Sequence, residues 1–145
     1  MTDEEAQVPR WVRLGVFVLL AVPQLVTGAW AVIAARNWYE SFPGVDPRLV
    51  AAEPPFNAHL ATDAGAGFLA TGVALAFAAV WGRRSGIVVA LVAYAAFAIP
   101  HFVYHAANPA PGLTSAEDAF NVALLASGLV FAAVLAWGTL RPGAP

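Results

Sequence analysis

The chain contains no cysteine and no lysine. Without a thiol it has no disulfide, no thiolate metal site, no cysteine nucleophile and no c-type haem attachment. Charge is scarce as well. Charged residues make up 11% of the 145 positions, against roughly a quarter in soluble domains. The net charge is −2 and no basic run occurs, which excludes nucleic acid as a partner. A glycine-rich phosphate loop is also missing, since Gly65 and Gly67 lie inside a long apolar run. None of Ser41, Ser85, Ser115 and Ser127 has the turn signature of a catalytic nucleophile, so a hydrolase reading has no support.

What the chain has instead is apolar length. Hydrophobic residues reach 60%, and four apolar stretches separate at about 12–35, 59–81, 86–107 and 116–139. Each meets the roughly 20 residues that a helix needs to cross about 30 Å of hydrocarbon. Backbone in lipid must satisfy its own hydrogen bonds, so the four stretches read as helices. The expectation is an all-α, antiparallel bundle of four transmembrane helices, forming a single integral membrane domain over 1–145. The first stretch is longer than a signal-peptide core, and the acidic start "MTDEE" lacks a basic flank, which favours an uncleaved first helix.

All seven basic residues are arginines. Arg10, Arg13, Arg83, Arg84 and Arg141 fall in the N-terminus, the second loop and the C-terminus, whereas Arg36 and Arg48 fall in the first loop. By the positive-inside rule both termini are expected in the cytoplasm of a multi-pass cell-membrane protein. Trp11, Trp81 and Trp137 then mark the inner interface, and Trp38, Tyr39 and Phe42 the outer one. "GRRSG" is a tight hairpin that makes the second and third helices antiparallel neighbours, with Gly82 and Gly86 permitting the turn. The first loop, "RNWYESFPGVDPRLVAAEPPFN", is rich in proline and aromatics and reads as a structured extracytoplasmic cap. Asn57 is placed to cap the second helix, and Thr114 with Glu117 forms a capping box for the fourth.

The polar residues gather at one end. His59 and Asp63 lie in the first turns of helix two, His101 and His105 in the last turns of helix three, and Glu117, Asp118 and Asn121 open helix four. The spacing puts His59 and Asp63 on one helical face, continued by the small residues Ala66, Gly67, Ala70 and Ala74, which is therefore expected to face inward. Tyr94, His101 and His105 share a face of helix three. Glu117, Asn121, Gly128 and Ala132 share one of helix four. Pro100 frees the carbonyl of Ala96 and invites a kink just below His101. Gln24 and Thr27, next to Pro23, are expected to satisfy a kinked backbone.

Three binding chemistries fit this constellation. His59, Asp63, His101 and His105 offer three imidazoles and a carboxylate, a donor set suited to zinc, iron or copper. A histidine from each of two helices can ligate haem, with Arg36 or Arg48 holding propionates. The same residues, with Asn57, Tyr104 and Asn121 in support, can form a pocket for a small lipophilic molecule such as a lipid or quinone head group. The alternative is a structural or partner-binding subunit in which the cluster only fixes helix ends. The sequence leaves open which of these holds, whether any reaction is catalysed, and whether the partner beyond the bilayer is a second copy or another membrane protein.

"SFPGV", "PPFNAHLATDAGAG" and "IPHFVYHAAN" together resemble a group of small bacterial four-helix membrane proteins of unassigned function. Its pattern reads FPG, then PYNEHLxxDxG, then PHxxYHxxH. Phe42, Pro43 and Gly44 match the first element; Pro55, Asn57, His59, Leu60, Asp63 and Gly65 the second; Pro100, His101, Tyr104 and His105 the third. Phe56, Ala58 and Asn108 depart from it, and the last two remove possible ligands. The resemblance implies where the site lies and assigns it no chemistry.

Overall fold

The computed structural model describes residues 6–141. The acidic start lies outside them. Five helices follow in order: α1 (Arg10–Ile33), α2 (Ala35–Ser41), α3 (Ala58–Trp81), α4 (Arg84–Ala107) and α5 (Ser115–Leu140). Among the described residues α1, α3, α4 and α5 are the four helices long and apolar enough to cross a membrane, with 24, 24, 24 and 26 residues. At 1.5 Å per residue each exceeds the roughly 30 Å hydrocarbon core. The expected 59–81, 86–107 and 116–139 were short by one or two residues, because flanking residues continue the helices, and the expected 12–35 was displaced by two, since α1 starts at Arg10 and ends at Ile33. The short helix α2, inside the first loop, had no clear sequence signal.

Local chemistry sets the ends. Asn57 caps α3 by accepting a hydrogen bond from Leu60 N at 3.1 Å. Thr114 and Glu117 form the full capping box of α5, with Glu117 Oε2 accepting from Thr114 N at 2.8 Å. Gly82 closes α3 in the left-handed region, with φ 72°, where a side chain would be strained. Gly86 is not part of that turn but sits in the first turn of α4. Pro100 lies inside α4, and the helix continues past it to Ala107. The irregularity of α1 is a π-helical turn at Val16–Ala21, just before Pro23. Gln24 does not serve a kinked backbone as expected: its Oε1 is buried with no hydrogen-bond partner.

The helices close a ring in which α1 packs on α3 and α5, and α4 packs on α3 and α5. Contact between α1 and α5 comes from Arg10–Ala21; the Val22–Ile33 half of α1 packs against α3 and α2 instead. One apolar core, including Val12, Val16, Leu20, Leu75, Ile87, Leu91, Tyr94 and Leu135, fills the half of the bundle near the α3–α4 hairpin. A second cluster, around Ala31, Trp38 and Ala61 with Phe42, Phe56 and Phe68, lies under the first loop. Trp38 is thus a core residue of the cap, whereas Trp11, Trp81 and Trp137 are half exposed at the opposite end.

The α1–α3 contact runs backbone to backbone. A Cβ on Gly28 would come within 2.8 Å of Gly65 O, and one on Gly72 within 2.9 Å of Leu25 N. Close approach through small residues is how membrane helices gain packing when lipid is as apolar as the helix surface. The buried stripe of α3 therefore runs through Ala61, Gly65, Gly72, Leu75 and Ala79. This corrects the expected inward face: Ala66 and Ala70 are exposed. His59 and Asp63 precede Ala61 and Gly65 by two positions each, about 200° round the helix at 3.6 residues per turn.

Candidate functional site

α4 and the first loop build the site. On α4, His101 stacks on Phe97, with ring centroids 5.9 Å apart, and meets Phe68 of α3 edge-on at 6.3 Å. One turn further on, His105 lies edge-on to His101 at 4.9 Å and to Tyr104 at 5.4 Å. Phe68 and Phe97 touch at 4.9 Å, so the two histidines rise from an aromatic floor shared by α3 and α4.

The first loop brings a carboxylate to this wall. Glu53 Oε1 lies 3.9 Å from His105 Nδ1, and the two side chains are 33% and 15% exposed. That separation permits a charge interaction and is too long for a hydrogen bond. His105 Nδ1 is accordingly buried without a hydrogen-bond partner. The loop is held at both sides of Glu53. Ala52 O accepts from Gly112 N of the third loop at 3.1 Å, and Glu53 O accepts from the Tyr39 hydroxyl at 3.4 Å. Phe56 lies between the Tyr39 ring, at 5.1 Å, and the Arg36 guanidinium, at 4.5 Å.

The other expected site residues divide. His59 and Asp63 pair with each other at 3.3 Å on the outer surface, 81% and 60% exposed. No hydrogen bond, ion pair or ring contact joins them to His101 or His105. The four side chains expected to share a metal therefore form two pairs, because the glycine stripe turns the other face of α3 inward. Among the described residues no three His, Cys, Asp or Glu side chains are grouped as a metal ion requires. Asn57 is exposed and engaged as the cap of α3. Tyr104 is 56% exposed and presents its ring to His105. Asn121 is 6% exposed, a buried polar residue on the inward face of α5.

Glu53, Phe68 and Phe97 were missed. Glu53 sits in a loop, where periodicity carries no information about long-range contacts. Phe68 and Phe97 had a usable signal, since they lie about equally far from the Gly82–Arg83 turn and a hairpin brings such positions together. Compared with known proteins, the chain matches no family model, no curated protein and no solved structure.

Proposed function

We propose that this integral membrane protein binds a small lipophilic molecule by its polar head, with His105, His101 and Glu53 contacting the head and Phe68 and Phe97 the apolar body. The observation that carries the reading is His105 Nδ1, buried without a partner 3.9 Å from a carboxylate. A buried polar atom left unpaired costs about 1–3 kcal/mol. A head group that donates a hydrogen to Nδ1, with the imidazole proton on Nε2, removes that cost. Aromatic walls with few convergent polar groups are the usual lining of such sites. Both termini are assigned to the cytoplasm on the arginine asymmetry, which puts the site on the extracytoplasmic side. Lipid contact is supported by the outward faces, where Val26, Ile33, Val89, Val92 and Val130 are exposed.

The test is purification in mild detergent, followed by an optical spectrum, a metal analysis and mass spectrometry of an organic extract. An organic molecule present in the wild type and lost in His105→Ala supports the proposal. A haem spectrum or stoichiometric metal lost in the same variant assigns the histidines to that chemistry instead.

A second reading has its own observation. The His105–Glu53 approach ties the first loop to α4, the Ala52–Gly112 bond ties it to the third loop, and the Tyr39–Glu53 bond closes the loop on its own helix α2. In that reading the cluster is a fastening for the cap and holds no ligand. His105→Ala then lowers stability, and the extract of the wild type is empty.

A further inference from the structure

The two ends of the bundle differ in charge. Arg10, Arg13, Arg84 and Arg141 lie together at the hairpin end: Arg84 N donates to Ala6 O, and Arg13 Nε donates to Ala79 O at 2.9 Å. The acidic residues of the described chain, Glu40, Asp46, Glu53, Asp63, Glu117 and Asp118, belong to the other end. Residues 3–5 add three acids in sequence, which leaves the five arginines of that end in excess.

From this basic end an apolar groove of about 420 Å³ runs along the outside of the bundle between α4 and α5. Val88, Val92 and Ile99 form one wall, and Leu129, Ala133 and Leu140 the other. Val88 and Ile99 are eleven positions apart, about 16 Å at 1.5 Å per residue. That is about half of the ~30 Å hydrocarbon core, the depth of one leaflet. Among the described residues the lining itself holds no charged one, and two arginines flank its Leu140 end, Arg84 by a hydrogen bond and Arg141 as the next residue in the chain. Arg84 Nη2 donates to Leu140 O at 2.5 Å, which fixes the side chain at the groove mouth. Arg141 lies with Cζ 3.3 Å from the centroid of the Trp137 ring, a cation–π contact at the end of α5.

We infer that this groove is a binding site for an anionic phospholipid, with one acyl chain between α4 and α5 and the phosphate held by Arg84 and Arg141. The charge of the mouth selects the occupant. An apolar groove alone accepts any lipid chain, but two arginines at its headgroup end match a phosphate carrying net negative charge. A second groove, lined by Arg10, Arg13, Leu14 and Phe17, differs in that Arg13 gives both Nε and Nη2 to the carbonyls of Ala79 and Val80, whereas among the described residues Arg84 gives only Nη2, to Leu140 O.

The test is titration of delipidated protein in detergent with phosphatidylglycerol and with phosphatidylcholine of the same acyl chains, bound lipid being counted by native mass spectrometry. The wild type should retain phosphatidylglycerol more tightly. Arg84→Gln and Arg141→Gln should each weaken it about fivefold and leave phosphatidylcholine unchanged. Ala133→Leu, which fills the groove, should weaken both lipids. Because Arg84 also ties down the end of α5, Arg141→Gln, which leaves that bond intact, is the deciding variant. Equal affinity for the two lipids overturns the inference. So does an Arg10→Gln effect as large as that of Arg141→Gln, which means undirected surface attraction, or a second copy of the chain covering Ala133 in place of lipid.

Discussion

His105 on α4 and Glu53 in the first loop approach to 3.9 Å, a point at which the cap meets a long helix through oppositely ionisable groups. The pair is partly shielded, and its geometry is too long for a hydrogen bond. In protein stripped of bound organic molecules, where no head group occupies Nδ1, a double-mutant cycle of His105→Ala and Glu53→Gln, read by reversible unfolding in mixed micelles, should give a coupling of about 0.5–1 kcal/mol. A coupling of zero would mean that the cap is held by its apolar cluster alone.

The α1–α3 seam should be the mechanically sensitive one. A Cβ on Gly65 would lie 2.8 Å from Ala31 Cβ and 3.0 Å from Val32 N, so the helices must separate to admit it. Gly65→Ala should destabilise by about 1–3 kcal/mol. Ala66→Leu, on the exposed neighbour, should change stability by about 0.5 kcal/mol or less. Equal effects at the two positions would restore the small-residue face expected from the sequence.

His59 and Asp63 give the opposite expectation. An exposed pair at a helix end contributes little, so His59→Ala and Asp63→Asn should each shift stability by about 0.5 kcal/mol or less. A large loss in either variant, measured by the same unfolding assay, would show that the pair is covered in the assembled protein.

The Tyr94 hydroxyl of α4 lies where a Cβ on Gly128 of α5 would go. Gly128→Ala should therefore cost about 1–3 kcal/mol, and adding Tyr94→Phe should recover part of the loss by removing the oxygen. Additive losses would contradict this packing.

The arginine asymmetry predicts that reporter fusions at either terminus report the cytoplasm, and a reporter at residue 110 the opposite side. An external C-terminus would reverse the side on which the His105 site opens.

The spans, the Asn57 cap, the Thr114–Glu117 box and the α3–α4 hairpin were legible because each depends on neighbours in sequence. The inward faces of α4 and α5 were legible too, since Tyr94, Asn121 and Ala132 are buried. The face of α3 was not. Two stripes of small residues compete on that helix, and the presence of Asp63 favoured the wrong one on the assumption that a carboxylate in a span must face inward. Asp63 lies close enough to the helix end for its charge to reach the interface, so Gly65 and Gly72 decided the packing instead. Glu53 was invisible for a different reason: its place depends on how the first and third loops fold together.

The most direct measurement of the central claim is the organic content of the purified protein, compared across wild type, His105→Ala and His59→Ala by quantitative mass spectrometry of extracts. The account predicts one lipophilic compound at near one per chain in the wild type, retained in His59→Ala and lost in His105→Ala while the variant stays folded. An extract with no such compound in the wild type, or one lost equally from His59→Ala, would contradict it.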